Sequence, residues 1–181
     1  MSGAETNPTV RTVASTQSET TEIILPNDTN MLGHLLGGRL MEFIDLTGAM
    51  AAFRHSRMPV VTAAMDHIDF IQPVLLGDLV TLKSSVNRAF TSSMEVGVKV
   101  WAENPRTGAI VHVASAYLVF VAIDDHGRPQ KVPRLLPETP DEIRRYDDAL
   151  RRREYRESES ARRKPERQAT AALETKNPGQ P

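Results

Sequence analysis

A glycine pair and an aspartate two helical turns further on are the residues best placed to do chemistry in this chain of 181 residues. Gly37 and Gly38 open an apolar run of helical length. The first N–H groups of a helix have no internal acceptor and carry partial positive charge. With no side chain to block approach, the pair makes a seat for an oxyanion or a carbonyl oxygen. The same two glycines also suit a plain tight turn into a helix. Asp45 follows on that helix, near Met41, Gly48 and Ala52 by helical spacing, on the side that should meet protein. A carboxylate there is costly unless paired. Removed from water it has a raised pKa and can act as base or nucleophile; it can equally pair with an arginine or a backbone donor across an interface. His34, in the loop ahead of the glycines, could hold a reacting carbonyl or orient water, or could simply be exposed.

Other polar residues carry weaker signals. Ser92 and Ser93 begin a strand at a turn, where hydroxyls and N–H groups could hold a polar ligand or merely shape the turn. His67 and Asp69 share one face of a strand, as an acid–base pair or as a satisfied hydrogen-bonded pair. His112 alternates into a strand and reads as structural; His55 ends a helix, where a positive charge suits the dipole. The histidines lack metal-ligand spacing and no HExxH is present, so no metal site is expected. With no cysteine, disulfides, thiolate metal sites and a cysteine nucleophile are all excluded.

The elements that must position these residues can be read in order. Residues 1–19 have the composition of a disordered tail. Glu22 to Leu25 reads as a short strand, Asn27 to Gly38 as a structured loop, and Gly38 to His55 as a helix with apolar residues around most of its circumference, which expects burial. Four strands follow: Val60 to Ile71, Leu79 to Arg88, Ser93 to Glu103 and Ala109 to Ile123. The second and third alternate as half-buried strands, and the fourth is apolar enough to be covered on both faces. Short turns between them imply antiparallel pairing. Residues 138–167 form a charged C-terminal helix, docking by its first two turns, and 168–181 a disordered tail. A sheet curled round one helix leaves the helix's other side open, which a second copy would close.

The net charge of −1 gives no general attraction to nucleic acid or anionic membrane. The stretch Arg151 to Arg167 mixes both signs and reads as a solvated helix rather than a nucleic-acid arm. Residues 1–20 contain no apolar run of a secretory signal, and no run of eighteen apolar residues could span a membrane. A soluble, cytoplasmic protein is expected.

Pro26, Asn30, Gly33, Gly37-Gly38, Met41 and Asp45, followed by small residues, together resemble the signature of hotdog-fold acyl-CoA thioesterases of the cytosolic acyl-CoA hydrolase type. The similarity continues through Phe70-Ile71-Gln72-Pro73-Val74, Gly77-Asp78, Ser92-Ser93, Glu95 to Trp101 and Phe120 to Asp124, covering roughly residues 20–135. It implies an α+β hotdog domain at 20–137: a five-stranded antiparallel sheet wrapped round the central helix, dimerised, often as a trimer of dimers. It implies hydrolysis of acyl-CoA to CoA and a carboxylic acid, with no cofactor beyond the coenzyme A carried by substrate and product. The catalytic carboxylate matches Asp45 and the oxyanion donor the backbone at Gly38, with Asn30 and His34 as further catalytic positions and Gly37, Phe70, Ser92 and Ser93 as substrate contacts. The position of His34 often carries Asn or Asp in the family.

The helix start and Asp45 lie about 10 Å apart along one axis. The carboxylate is therefore expected to serve the glycine loop of a facing subunit, with the acyl chain along the dimer seam. Two rival readings stand beside hydrolysis. One is a hotdog enoyl-CoA hydratase using His67 and Asp69; the other is a non-catalytic module that binds acyl-CoA or bridges partners through the charged C-terminal helix.

Overall fold

Period-two alternation builds most of this molecule. The computed structural model describes the backbone of residues 9–174 and the side chains of these residues except His67 and 163–174. A five-stranded sheet is formed by β2 (Ser18–Ile23), β3 (Val60–Phe70), β4 (Leu79–Ala89), β5 (Ser93–Glu103) and β6 (Ile110–Ala122). Its order is β2-β4-β5-β6-β3, with every neighbour antiparallel, so β3 is an edge strand. Val80, Leu82, Ser84 and Val86 point to the inner face of β4, and Val96, Val98 and Val100 to that of β5.

The helix α1 (Gly37–Ser56) lies on that inner face. Leu40, Phe43, Ile44, Thr47, Gly48, Ala51 and Ala52 are buried beneath it. Gly48 sets the closeness of the contact: a Cβ there would stand 3.1 Å from the Phe120 ring. This is the hotdog arrangement. Burial all round the helix does not hold for one chain, however. Met41, Leu46, Met50 and Phe53 remain exposed, because the sheet covers only one side of α1.

The expected N-terminal tail is corrected from residue 9 onward. β1 (Val10–Thr12) pairs in parallel with β7 (Arg134–Leu136), and Val13 and Thr16 are buried. Thr16 accepts a hydrogen bond from the Val86 N–H at 3.0 Å and donates to the Val13 carbonyl at 2.7 Å, satisfying a β4 backbone group that would otherwise be orphaned. β2 accordingly starts at Ser18, earlier than the strand expected at Glu22.

α2 (Pro140–Glu174) also departs from expectation, in two ways. It continues through residues 168–174, where a tail was expected; residues 175–181 lie outside the described residues. It also docks beyond its first two turns, across the outer face of the sheet. Arg152 Nη2 meets the fully buried Glu95 at 2.6 Å and stacks its guanidinium 3.8 Å over the Tyr117 ring. Arg156 pairs with Asp66. Burial pushes the Asp66 carboxyl above its ordinary pKa, and Arg156 pulls it back. A polar position of β5, Glu95, thus meets a half-buried cation rather than water.

Candidate active site

The site begins with a folded loop. Asn30 Oδ1 accepts from the N–H groups of Leu32 at 2.9 Å and His34 at 3.2 Å, and the Asn30 N–H donates to the His34 carbonyl at 2.8 Å. Gly33 closes the turn at φ 73°, a left-handed conformation that suits glycine. The next residues are tied on both sides, Leu35 N–H to the Val74 carbonyl and Leu36 N–H to that of Asp28, each at 2.9 Å. The Asp28 carboxylate accepts from Leu25 N–H at 3.0 Å and from Arg39 Nε at 2.8 Å. The Leu25 bond leads, and Arg39 adds to it, in holding the Asp28 carboxyl below the usual range. The loop and the first turn of α1 are therefore fastened together.

The helix N-terminus so presented is uncapped. Leu36 occupies the cap position and supplies no side-chain acceptor. Gly37 and Gly38 are exposed, and beside them opens a cleft of about 360 Å³ lined by Asn30, His34, Gly37, Phe70 and Pro73 among others. Phe70, 55% exposed, sets its ring edge 3.8 Å from where a Gly37 Cβ would stand. The cleft can seat a carbonyl oxygen against backbone N–H groups.

Asp45 does not line that cleft. It is half-buried in the middle of α1, about 12 Å of helix axis beyond Gly37. Its Oδ1 accepts the Thr62 hydroxyl at 2.6 Å. The carboxylate is thus held by a residue of the edge strand β3. Thr62 carries no local signal of this role. Threonine is an ordinary strand residue, and only the chain's return after Pro59 lays β3 along α1.

Ser92 and Ser93 sit at the end of the sheet away from Gly37. Ser93 pairs with Val121, which pairs with Val61, while Phe70 marks the other end of β3. Their carbonyls accept from Ala122 and Phe90 N–H groups at 3.0 and 2.8 Å. The residues expected at the site thus fall into two groups. Asn30, His34, Gly37, Gly38 and Phe70 gather at one end, and Ser92 and Ser93 lie at the other, nearer Thr62.

The remaining histidines fall outside both. His55 is fully buried, so the expected charge at the helix end is corrected: burial first, then the Arg11 cation, lower its pKa, although its bond to the Pro133 carbonyl opposes them. His112 lies on the outer face of the sheet. The His67 side chain lies outside the described residues, so the expected His67–Asp69 pairing does too.

The thioesterase superfamily model matches residues 32–109. A Bacillus subtilis protein described as an uncharacterized acyl-CoA thioester hydrolase is 43% identical over 159 residues, which are 87% of this chain and 90% of the relative. The chain belongs to this thioesterase family. A Staphylococcus aureus acyl-CoA hydrolase, solved with butyryl coenzyme A, coenzyme A and coenzyme A disulfide, matches this thioesterase with a TM-score of 0.79 at 35% identity, over 91% of this chain and 98% of its own. Mutants of that hydrolase, with an aspartate, an asparagine or a threonine replaced by alanine, have also been solved. An apo hexameric acyl-CoA thioesterase matches with a TM-score of 0.82 at 35% identity, over 85% of this chain and 99% of its own.

Proposed function

We propose that this thioesterase hydrolyses acyl-CoA to free coenzyme A and a carboxylic acid, with Asp45 as general base or nucleophile. The observation that carries the reading is the Thr62–Asp45 hydrogen bond of 2.6 Å, which fixes a carboxylate in the middle of an apolar helix. The three residues replaced in the S. aureus mutants are an asparagine, an aspartate and a threonine, separated along its chain by the same intervals as Asn30, Asp45 and Thr62 here. That agreement supports roles for all three in this chain.

The thioester oxygen rests on the N–H groups of Gly37 and Gly38. As general base, Asp45 takes a proton from a water that attacks the carbonyl carbon; the C–S bond breaks, and Asp45 returns that proton to the leaving coenzyme A thiolate. The N-terminal N–H groups stabilise the oxyanion formed between these steps. Asn30 Oδ1 is committed to its own loop, so its amide N–H groups are what it can offer to substrate. His34 faces the same cleft. With no charged partner needed, the pantetheine arm can pass Phe70.

The two groups are half-sites that a second copy completes. Pairing of the β3 edge strands about a two-fold axis is antiparallel, so it brings the Phe70 end of one subunit to the Thr62 end of the other. Leu46, Met50 and Phe53, exposed on α1 at helical spacing, and Val61 on β3 supply an apolar seam for the contact and for the acyl chain. The hexameric relative supports assembly as a trimer of such dimers. Among the described residues no helix is long and apolar enough to cross a membrane; with no cysteine to form disulfides, a reducing cytoplasm suits the enzyme.

A thiol-release assay on acyl-CoA tests the assignment. Asp45→Ala should lower turnover by about 10²–10⁴-fold while the oligomer persists in size-exclusion chromatography. Undiminished turnover in that variant would overturn the role of Asp45; absence of thiol release by the unaltered chain across acyl lengths would overturn the function.

A further inference from the structure

The outer face of the sheet carries a cleft of about 640 Å³, reached from α1 only by Arg54 of its last turn among the described residues, that the hydrolytic reading leaves unused. Alternation decides what points into it. Ser84 Oγ donates to the Thr47 carbonyl of α1, and Val98 lies against Gly48, so Lys83, Ser85, Gly97 and Lys99 face the other way. Strand register then sets Glu19, Lys83, Lys99 and Ser115 in one row across β2, β4, β5 and β6.

This row breaks a pairing rule. Lys83 and Lys99 stand directly opposite each other on neighbouring strands, where like charges destabilise a sheet. Glu19 bridges Lys83 at 3.1 Å and is the only carboxylate among the described residues of the lining, which also holds Arg54 and Arg145. Arg54 donates to a neutral acceptor, the Gln17 carbonyl. Arg145 meets Asp141 at 3.4 Å, but that one carboxylate also bridges Arg144 and feels the Lys99 charge. Cations therefore outnumber carboxylates at the cleft, and a fold that keeps two lysines face to face does so most readily for an anion.

The next row is aromatic. Trp101 lies opposite Thr81 on one side and His112 on the other. A β-bulge places His112 there: Val100 pairs with Ala114 but Trp101 pairs with His112, leaving Val113 over. His112 is thereby turned to the face of Ser115, with Nε2 3.0 Å from the Ser115 Oγ and its ring 5.8 Å from that of Trp101. An indole with Lys83 6.0 Å from its ring, in a space of nucleotide size lined by four cations, matches one ligand chemistry: a planar base joined to phosphates.

We propose that this cleft binds a free nucleoside polyphosphate, with Lys83, Lys99 and Arg145 on the phosphates and the Trp101 ring on the base. The sheet lies between this cleft and the α1 face that carries Asp45, so the inference stands apart from the hydrolytic reading.

Trp101 is the single tryptophan of the chain, so its fluorescence reports on this cleft alone. ATP titrated into the full-length protein should quench it saturably in the millimolar range or below, and inorganic tripolyphosphate should bind more weakly by calorimetry. Lys99→Gln should weaken ATP binding about tenfold, the loss of one charged contact. Arg145→Gln provides a second, independent weakening. Coenzyme A carries the same chemistry, so the two sources are separated by kinetics: in Lys99→Gln the KM for acyl-CoA should stay unchanged. No saturable quench, or a quench indifferent to both substitutions, would overturn the proposal. A KM that rises in step with the ATP dissociation constant would overturn it too, making the cleft the nucleotide end of the substrate site.

Discussion

Thr62 donates its hydroxyl to Asp45 Oδ1 at 2.6 Å, tying the edge strand of the sheet to the middle of the central helix. In the proposed mechanism this bond aims the carboxylate at the attacking water. Thr62→Ala should lower kcat by about ten- to a hundredfold, because a misaimed base loses near-attack geometry, while the KM for acyl-CoA changes little. Thr62→Ser, which keeps the hydroxyl, should restore most of the rate. Equal losses in the two variants would show that the threonine methyl, rather than the hydrogen bond, matters.

The proposed division of the site between subunits can be tested in mixtures. Gly38→Pro removes one N–H from the helix tip while keeping a backbone angle that the first turn accepts. Gly38→Pro and Asp45→Ala should each be inactive alone. If each site takes its helix tip from one subunit and its carboxylate from the other, a mixed dimer holds one doubly damaged and one intact site. Random reassembly of equal amounts should then recover about a quarter of unaltered activity in the thiol-release assay. A mixture as inactive as its parents would place both groups of a site in one chain.

The inner face of the sheet was legible in the sequence because its signal is local. Val80, Leu82 and Val86, with Val96, Val98 and Val100, alternate at the strand period, and each is buried. The glycine pair and Asp45 stood out for the same reason, as breaks in one apolar run. What could not be read depends on contacts distant in sequence. β1 and β7 are three residues each and pair across most of the chain. Thr62 acquires its meaning from a helix seventeen residues away. Glu95 alternates as a solvent-facing residue should, yet is fully buried, because Arg152 of α2 arrives to meet it. Arginines in a run of mixed charge give no sign of which two will dock.

That buried pair makes α2 part of the fold rather than an appendage. Arg152 reaches Glu95 with two hydrogen bonds, of 2.6 and 3.1 Å, and Asn87 adds a third at 3.2 Å. Arg152→Ala would leave Glu95 buried with the more distant Arg156, 3.8 Å away, as its nearest cation. The loss should be about 3 kcal/mol in urea unfolding followed by circular dichroism. Replacing both partners, as Glu95→Gln with Arg152→Met, should cost much less, since no charge is then stranded. A double variant as unstable as the single one would show that packing on Tyr117, not charge, dominates.

Acid should destabilise this protein through His55. The ring is fully buried; its Nε2–H donates to the Pro133 carbonyl at 2.8 Å, and its Nδ1 has no hydrogen-bond partner among the described residues. Burial, with the nearby Arg11 charge, holds its folded-state pKa below the ordinary 6.5, so the unfolded chain binds a proton more readily than the folded one. The neutral ring's contribution is therefore complete above pH 6.5 and is lost as pH falls from there through the folded pKa. Within that window the slope approaches about 1.4 kcal/mol per pH unit for one such group. His55→Gln is less stable at neutral pH but should lose this part of the slope. Urea midpoints measured from pH 8 to 5 for both proteins would show it, and parallel curves would assign the acid sensitivity to other groups.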